Sequence, residues 1–165
     1  MSVLPILRWP DPRLSRVCDP VGPGEDLERL VTDMFETMYE APGRGLAAPQ
    51  VGVMKRLFVM DCGWKEGDMT PVVCINPEIV EASGAQATGE EGCLSIPGIL
   101  APVTRPDWIV LRWTDLGGTV QEQRLDGFEA RCAQHEFDHL DGLVTFDRLD
   151  PETRTALEAA YEARP

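Results

Sequence analysis

The chain has 165 residues, 43% hydrophobic and 26% charged, which suits a globular protein with one core and excludes a low-complexity or collagen-like chain. Its net charge of −13, with no Lys/Arg cluster, argues against nucleic acid or an anionic membrane as partner, because both require concentrated positive charge. No apolar run approaches the roughly 20 residues that span a bilayer, and the opening MSVLPILRWPDP has neither the apolar core of a secretory signal nor the bias of a transit peptide, so a cytoplasmic location is expected.

In chain order, residues Asp26 to Glu40 place Leu27, Leu30, Val31, Met34, Phe35 and Met38 at helical spacing, and Ala41-Pro42-Gly43 ends that helix. A small-residue loop follows from Gly43 to Gln50. Short β-type runs come next at Arg56 to Asp61 and Val72 to Ile75, and around Pro77 to Glu81. Trp108 to Thr114 and Thr119 to Leu125 flank Asp115-Leu116-Gly117-Gly118 and predict a hairpin. Asp126 is placed to cap a helix reaching about Leu140, with Gly142 as its stop. A last short helix starts after Asp150-Pro151. No linker or repeat interrupts the chain, so residues 1–165 are expected to form a single domain. Strands first and one central helix late predict an α+β fold of short antiparallel strands around that helix, with an N-terminal and a short C-terminal helix beside it.

The late helix carries the clearest chemistry. Gln134-His135-Glu136-Phe137-Asp138-His139 contains H-E-x-x-H, and the chain's only two histidines both lie in it. Residues four apart share a helix face about 6 Å apart along the axis, so both imidazoles can meet one ion. Glu136 projects beside them, where a general base is wanted. Ala130, Ala133, Phe137 and Leu140 form the opposite, core-packing stripe. Two imidazoles leave a catalytic site one ligand short. Cys132 lies on the histidine face, but its Cα is about 10.5 Å from that of His139 along the helix, too far for one ion to hold both. A ligand from another element fits better, with Cys93 the leading candidate. Of the five cysteines, Cys18, Cys62 and Cys74 are expected to pack in the core. The odd number and the absence of C-x-x-C favour a reducing compartment.

Three stretches resemble the three signature motifs of the peptide deformylases, in the family's order: Gly43-x-Gly45-Leu46-Ala47-Ala48-Pro49-Gln50, Glu91-Gly92-Cys93-Leu94-Ser95, and Gln134-His135-Glu136-x-Asp138-His139. Ile6-Leu7 and Pro10-Asp11-Pro12 are similar to the family's opening, so the likeness runs from near residue 6 to about residue 150. The resemblance implies a bacterial or organellar type of enzyme in protein biosynthesis, a hydrolase that removes the N-formyl group from the N-terminal methionine of nascent chains and releases formate. It implies one divalent metal ion per chain, held by Cys93, His135 and His139 with a fourth position for water. Fe2+ is expected as the active form, with Zn2+ and Ni2+ as alternatives. It assigns proton transfer to Glu136, and oxyanion stabilisation to the Gln50 side-chain amide and the Leu94 backbone N–H.

The resemblance also sets Gly43, Gly45, Glu91 and Gly92 along the substrate, and Phe128 and Cys132 in the methionine pocket. Arg44 and Arg131 stand where many members carry aliphatic residues, so they are expected to narrow or polarise that pocket. Asp138 and Gln134 are expected to support the ligands. The expected partners are N-formyl-methionyl peptides and a transient encounter with the ribosome or nascent chain. The C-terminal segment, alternating Glu152, Arg154, Glu158, Glu162 and Arg164, has no basic face for stable ribosome docking. Two alternatives stand beside this reading: a zinc endopeptidase of the HExxH type, and a non-catalytic deformylase homologue.

Overall fold

A computed structural model describes residues 2–165. After an N-terminal segment that runs across the molecule, helix α1 spans Glu28–Glu40 and buries Val31, Met34 and Met38, the stripe its sequence spacing requires. Five strands form one antiparallel sheet: β1 Gly45–Ala47, β2 Leu57–Met60, β3 Val72–Ala82, β6 Trp108–Thr114 and β7 Val120–Asp126, in the order β1-β2-β3-β6-β7. Two more, β4 Gln86–Cys93 and β5 Ile96–Pro106, make a separate antiparallel hairpin. Helix α2, Gly127–Leu140, lies centrally, and α3, Pro151–Glu162, closes the chain. The fold is α+β, with short antiparallel strands around a central helix.

Helix α2 packs on β1, β2, β6 and β7. Ala130, Ala133 and Leu140 face Phe58, Cys74, Ile109 and Leu111 in the main core, where small helical residues let the sheet approach closely. A second cluster holds α1 against the other side of β1 and β2 through Met34, Met38, Leu46, Leu57 and Val59. The third joins the Cys93 hairpin to the chain ends: Ile96 and Ile99 pack with Leu14 and Phe146, and Trp9 and Tyr161 lie against them. Tyr161 also donates its hydroxyl to the Trp9 carbonyl at 2.8 Å. The hairpin bearing Cys93 is therefore anchored from below, and α2 is anchored from the sheet.

Three local expectations need correction. The two runs around residues 72–81 are one strand with register irregularities, and Asn76 sits between them at φ 48 with its side chain tied to both backbone groups of Val21. The Gly43–Gln50 loop contains strand β1 and a single 3-10 turn, Ala48–Val51. Asp126 occupies the N-cap position of α2, yet its carboxylate makes no capping bond and accepts from Arg124 instead. Asp150, by contrast, caps α3 through the N–H of Thr153 at 2.9 Å.

Gly142 ends α2 for two physical reasons. Its φ is 76, a conformation costly for a side chain, and an added Cβ would meet the backbone of Ser15 and Arg16 at 2.8–2.9 Å. Its neighbour Leu140 accepts from the Cys18 N–H and from Arg56, so the helix end is also a docking point for the N-terminal segment. Gly142→Ala is expected to lower stability by about 1–2 kcal/mol or more, read as a shifted urea midpoint. An unchanged midpoint contradicts this account of the helix stop.

Candidate metal centre and the cleft beside it

His135 and His139 stand one turn apart on α2, with rings 5.0 Å between centroids. Cys93 reaches them from the end of β4, its Sγ 3.5 Å from His139 Nε2. All three ligand-type atoms lie within 4.8 Å of one another, and all three residues are buried. The donor set fits one divalent ion. Bonds of about 2.0–2.3 Å in tetrahedral geometry separate ligand atoms by roughly 3.5 Å, the distance already present between Cys93 and His139.

The surroundings fit a cation as well. Burial opposes a charge on His135, but Glu136, Cys93 and Glu91 around it outweigh that and hold its pKa well above the ordinary value. Burial and the charge of His135 push the pKa of His139 well below its ordinary value. Cys132 lies outside the triad, its thiol directed to the Arg44 carbonyl at 3.8 Å.

Behind His135 lies a buried ion network. Glu91 Oε1 takes His135 Nδ1 at 2.8 Å, leaving Nε2 to face the site. Arg105 donates to both Glu91 oxygens at 2.6 and 2.9 Å, and reaches Asp138 Oδ2 at 2.9 Å. Arg148 then pairs with Asp138 at 2.6 Å. Burial works against the Glu91 carboxylate, but the bonds from Arg105 and His135 prevail and lower its pKa to about 2. This fixed anion sets the tautomer and angle of the His135 ring. Asp138 thus acts on the ligands through Arg105 and Glu91. Gln134 bonds only the carbonyls of Pro106 and Ala130, so it shapes the helix and touches no ligand.

Arg105 escaped the sequence reading. Its signal was available: β5 buries Ala101, Val103 and Arg105 in strict alternation, and a charge on the inward face of a strand requires a buried partner. Ser95 was also passed over. It is fully buried and receives Gln50 Nε2 at 3.0 Å.

Gln50 itself is buried, its Oε1 held by the Ala47 N–H at 2.9 Å and its Nε2 3.7 Å from Cys93 Sγ. The amide therefore points its donor at the metal side. Glu136 is buried with Oε2 4.0 Å from His135 Nε2, and its Oε1 has no hydrogen-bond partner. Burial raises its pKa to about 7 against the pull of His135.

A cleft of about 910 Å³ opens onto Cys93, His135, Glu136 and Gln50. Gly43, Gly45, Glu91, Gly92, Leu94, Phe128, Arg131, Cys132 and Arg44 also line it. Gly45 must be bare: a Cβ there would stand 2.6 Å from Glu136 Oε2 and 3.0 Å from Cys132 Sγ. Phe128 is half-exposed at the rim, with the Arg44 guanidinium 5.4 Å from its ring centre.

Arg44 and Arg131, expected to narrow or polarise the pocket, both line the cleft, and their heads are held by protein groups. Arg44 holds Glu66 through two bonds of 2.8 Å and also donates to the Cys62 carbonyl. Arg131 is bonded to Glu91 and to two backbone carbonyls. Cys18 and Cys74 are buried as expected, whereas Cys62 is only partly so.

Residues 3–155 match the family model described as polypeptide deformylase. A peptide deformylase of Alkalilimnicola ehrlichii is 49% identical over 163 residues, covering 98% of this chain and 90% of that one. Peptide deformylase 2 of Xanthomonas campestris is 51% identical over 158 residues, covering 93% and 91%. The crystal structure of a peptide deformylase from Legionella pneumophila superposes with a TM-score of 0.90 at 38% identity, covering 99% of both chains.

Proposed function

Since the chain belongs to the polypeptide deformylase family, we propose that Cys93, His135 and His139 hold the one divalent ion on which its activity depends, with Fe2+ the active form and Zn2+ or Ni2+ able to occupy the same ligands. The activity is hydrolysis of the N-formyl group of nascent polypeptides. The endopeptidase and non-catalytic alternatives fall with that assignment. The observation that carries the site reading is the convergence of the three ligands beside Gln50 and Glu136 at the floor of one cleft.

When bound, a dication acidifies a coordinated water and polarises a carbonyl, which is the chemistry an amide hydrolase needs at neutral pH. Glu136 takes the proton of the attacking water on its cleft-side carboxylate and passes it to the departing amine nitrogen. The formyl carbon–nitrogen bond breaks, formate leaves with the water oxygen, and the amine keeps the proton. Gln50 Nε2 and the Leu94 N–H donate to the formyl oxygen as it gains charge, and a donor held in advance by Ala47 needs no reorganisation to do so. Gly43 and Gly45 line the path of the peptide, and Phe128 and Cys132 wall the methionine side chain with the aliphatic stems of Arg44 and Arg131.

We place this activity in the cytoplasm, in one domain over residues 1–165, meeting nascent chains transiently. None of the helices among the described residues is long and apolar enough to cross a membrane. Helix α3 offers no basic face, because Arg154 is paired with both Asp147 and Glu158. Removing the ion with o-phenanthroline is expected to abolish formate release, and Fe2+ or Ni2+ to restore it. Undiminished release after complete metal removal would sink the reading.

A further inference from the structure

Arg131 leaves α2 one turn before His135 and crosses to the β4–β5 hairpin. Its Nη1 donates to Glu91 Oε2 at 2.7 Å and to the Val103 carbonyl at 2.8 Å, and its Nη2 to the Ala87 carbonyl at 2.9 Å. One guanidinium thus binds β4, β5 and the carboxylate that holds His135. Gly89 leaves room for the crossing. A Cβ there would stand 3.1 Å from Arg131 Nε and Cζ, so the guanidinium rests directly on bare backbone. The side chain is 18% exposed.

We infer that Arg131 is a positioning residue for the metal centre: with Gly89, it clasps the hairpin that ends at Cys93 onto the helix that carries His135 and His139, and it fixes Glu91 on His135. The inference rests on the reading of those three residues as ligands. Without Arg131, Glu91 Oε2 keeps only Arg105, and the carbonyls of Val103 and Ala87 lose this donor. Cys93 then loses one of the ties that fix it relative to the two imidazoles, and keeps its packing on Leu14 and Phe146. A lysine cannot replace the clasp, because a point charge does not span three acceptors as a planar fork does. The arginine acts on the metal ligands, and its contribution to the cleft is its stem.

The test uses Co2+-loaded holoenzyme, read by its visible spectrum and by the rate of Co2+ release into excess chelator. Wild type is expected to show a thiolate-to-cobalt charge-transfer band that Cys93→Ser lacks. A band retained in Cys93→Ser overturns the ligand assignment and the clasp with it. With that band established, Arg131→Met and Arg131→Lys are each expected to release Co2+ about tenfold faster and to shift the ligand-field bands, as loss of a group supporting a ligand does. Gly89→Val is expected to speed release in the wild-type background and to add nothing in the Arg131→Met background. Release by Arg131→Met within twofold of wild type, with an unchanged spectrum, overturns the clasp. So does a Gly89→Val effect of equal size in both backgrounds.

Discussion

Glu136→Gln is expected to lower kcat/KM for a formyl-peptide by about 10²–10⁴-fold, the usual contribution of a positioned acid–base group, while the ion stays bound. The substitution keeps the shape of the side chain and removes its capacity to take a proton. Shape matters here, because the carboxylate is buried and Gly45 is kept bare to admit it. Chemistry matters because Oε1 has no protein partner, a costly state for a buried oxygen that carries no hydrogen bond. Metal content is measured on the same sample, so a loss through the ion is separated from a loss through the proton. A decrease smaller than tenfold with the ion in place contradicts the assigned role.

Cys93→Ser is expected to weaken divalent-ion affinity by more than the roughly 10–100-fold that removal of an outer supporting group costs. A neutral hydroxyl replaces a thiolate, and the site loses both a strong ligand and a negative charge. The buried pair His135 and His139 then remains, which is too few ligands for a stable catalytic centre. Cys132→Ser is the matched control. That thiol is equally deep and lies beside the same helix face, but it points to the Arg44 carbonyl and stands outside the triad. Its affinity is expected to remain within a few-fold of wild type. Equilibrium competition with a chromogenic chelator reads both variants, and equal affinity for wild type and Cys93→Ser refutes the ligand set.

What the sequence displays and what it hides follow from how local each signal is. The helix pair α1 and α2 declares itself by apolar spacing, and H-E-x-x-H is complete within five consecutive residues, so geometry alone brings two imidazoles together. The hairpin β4–β5 is hidden because Gln86–Cys93 is rich in Gly and Glu, and Pro97, Gly98, Pro102 and Pro106 interrupt the run of β5. Its order comes from pairing between the two strands and from packing on Phe146 and Leu14, which no local window contains.

The arginines show the same limit. Arg131 reads as an intruder in an apolar pocket until Glu91, Val103 and Ala87 are seen around its head. Arg105 is missed until the alternation of β5 turns it inward. The motif residues are the ones the structure gathers at one cleft; the residues that hold them in place are distributed through long-range contacts.

The central claim is tested most directly by formate release from formyl-Met-Ala-Ser by anaerobically prepared, iron-loaded protein, measured beside Glu136→Ala loaded in the same way. Rapid, stoichiometric formate release with a matching rise in free N-terminal amine is the predicted result. Release by the wild-type chain no faster than by Glu136→Ala would contradict it.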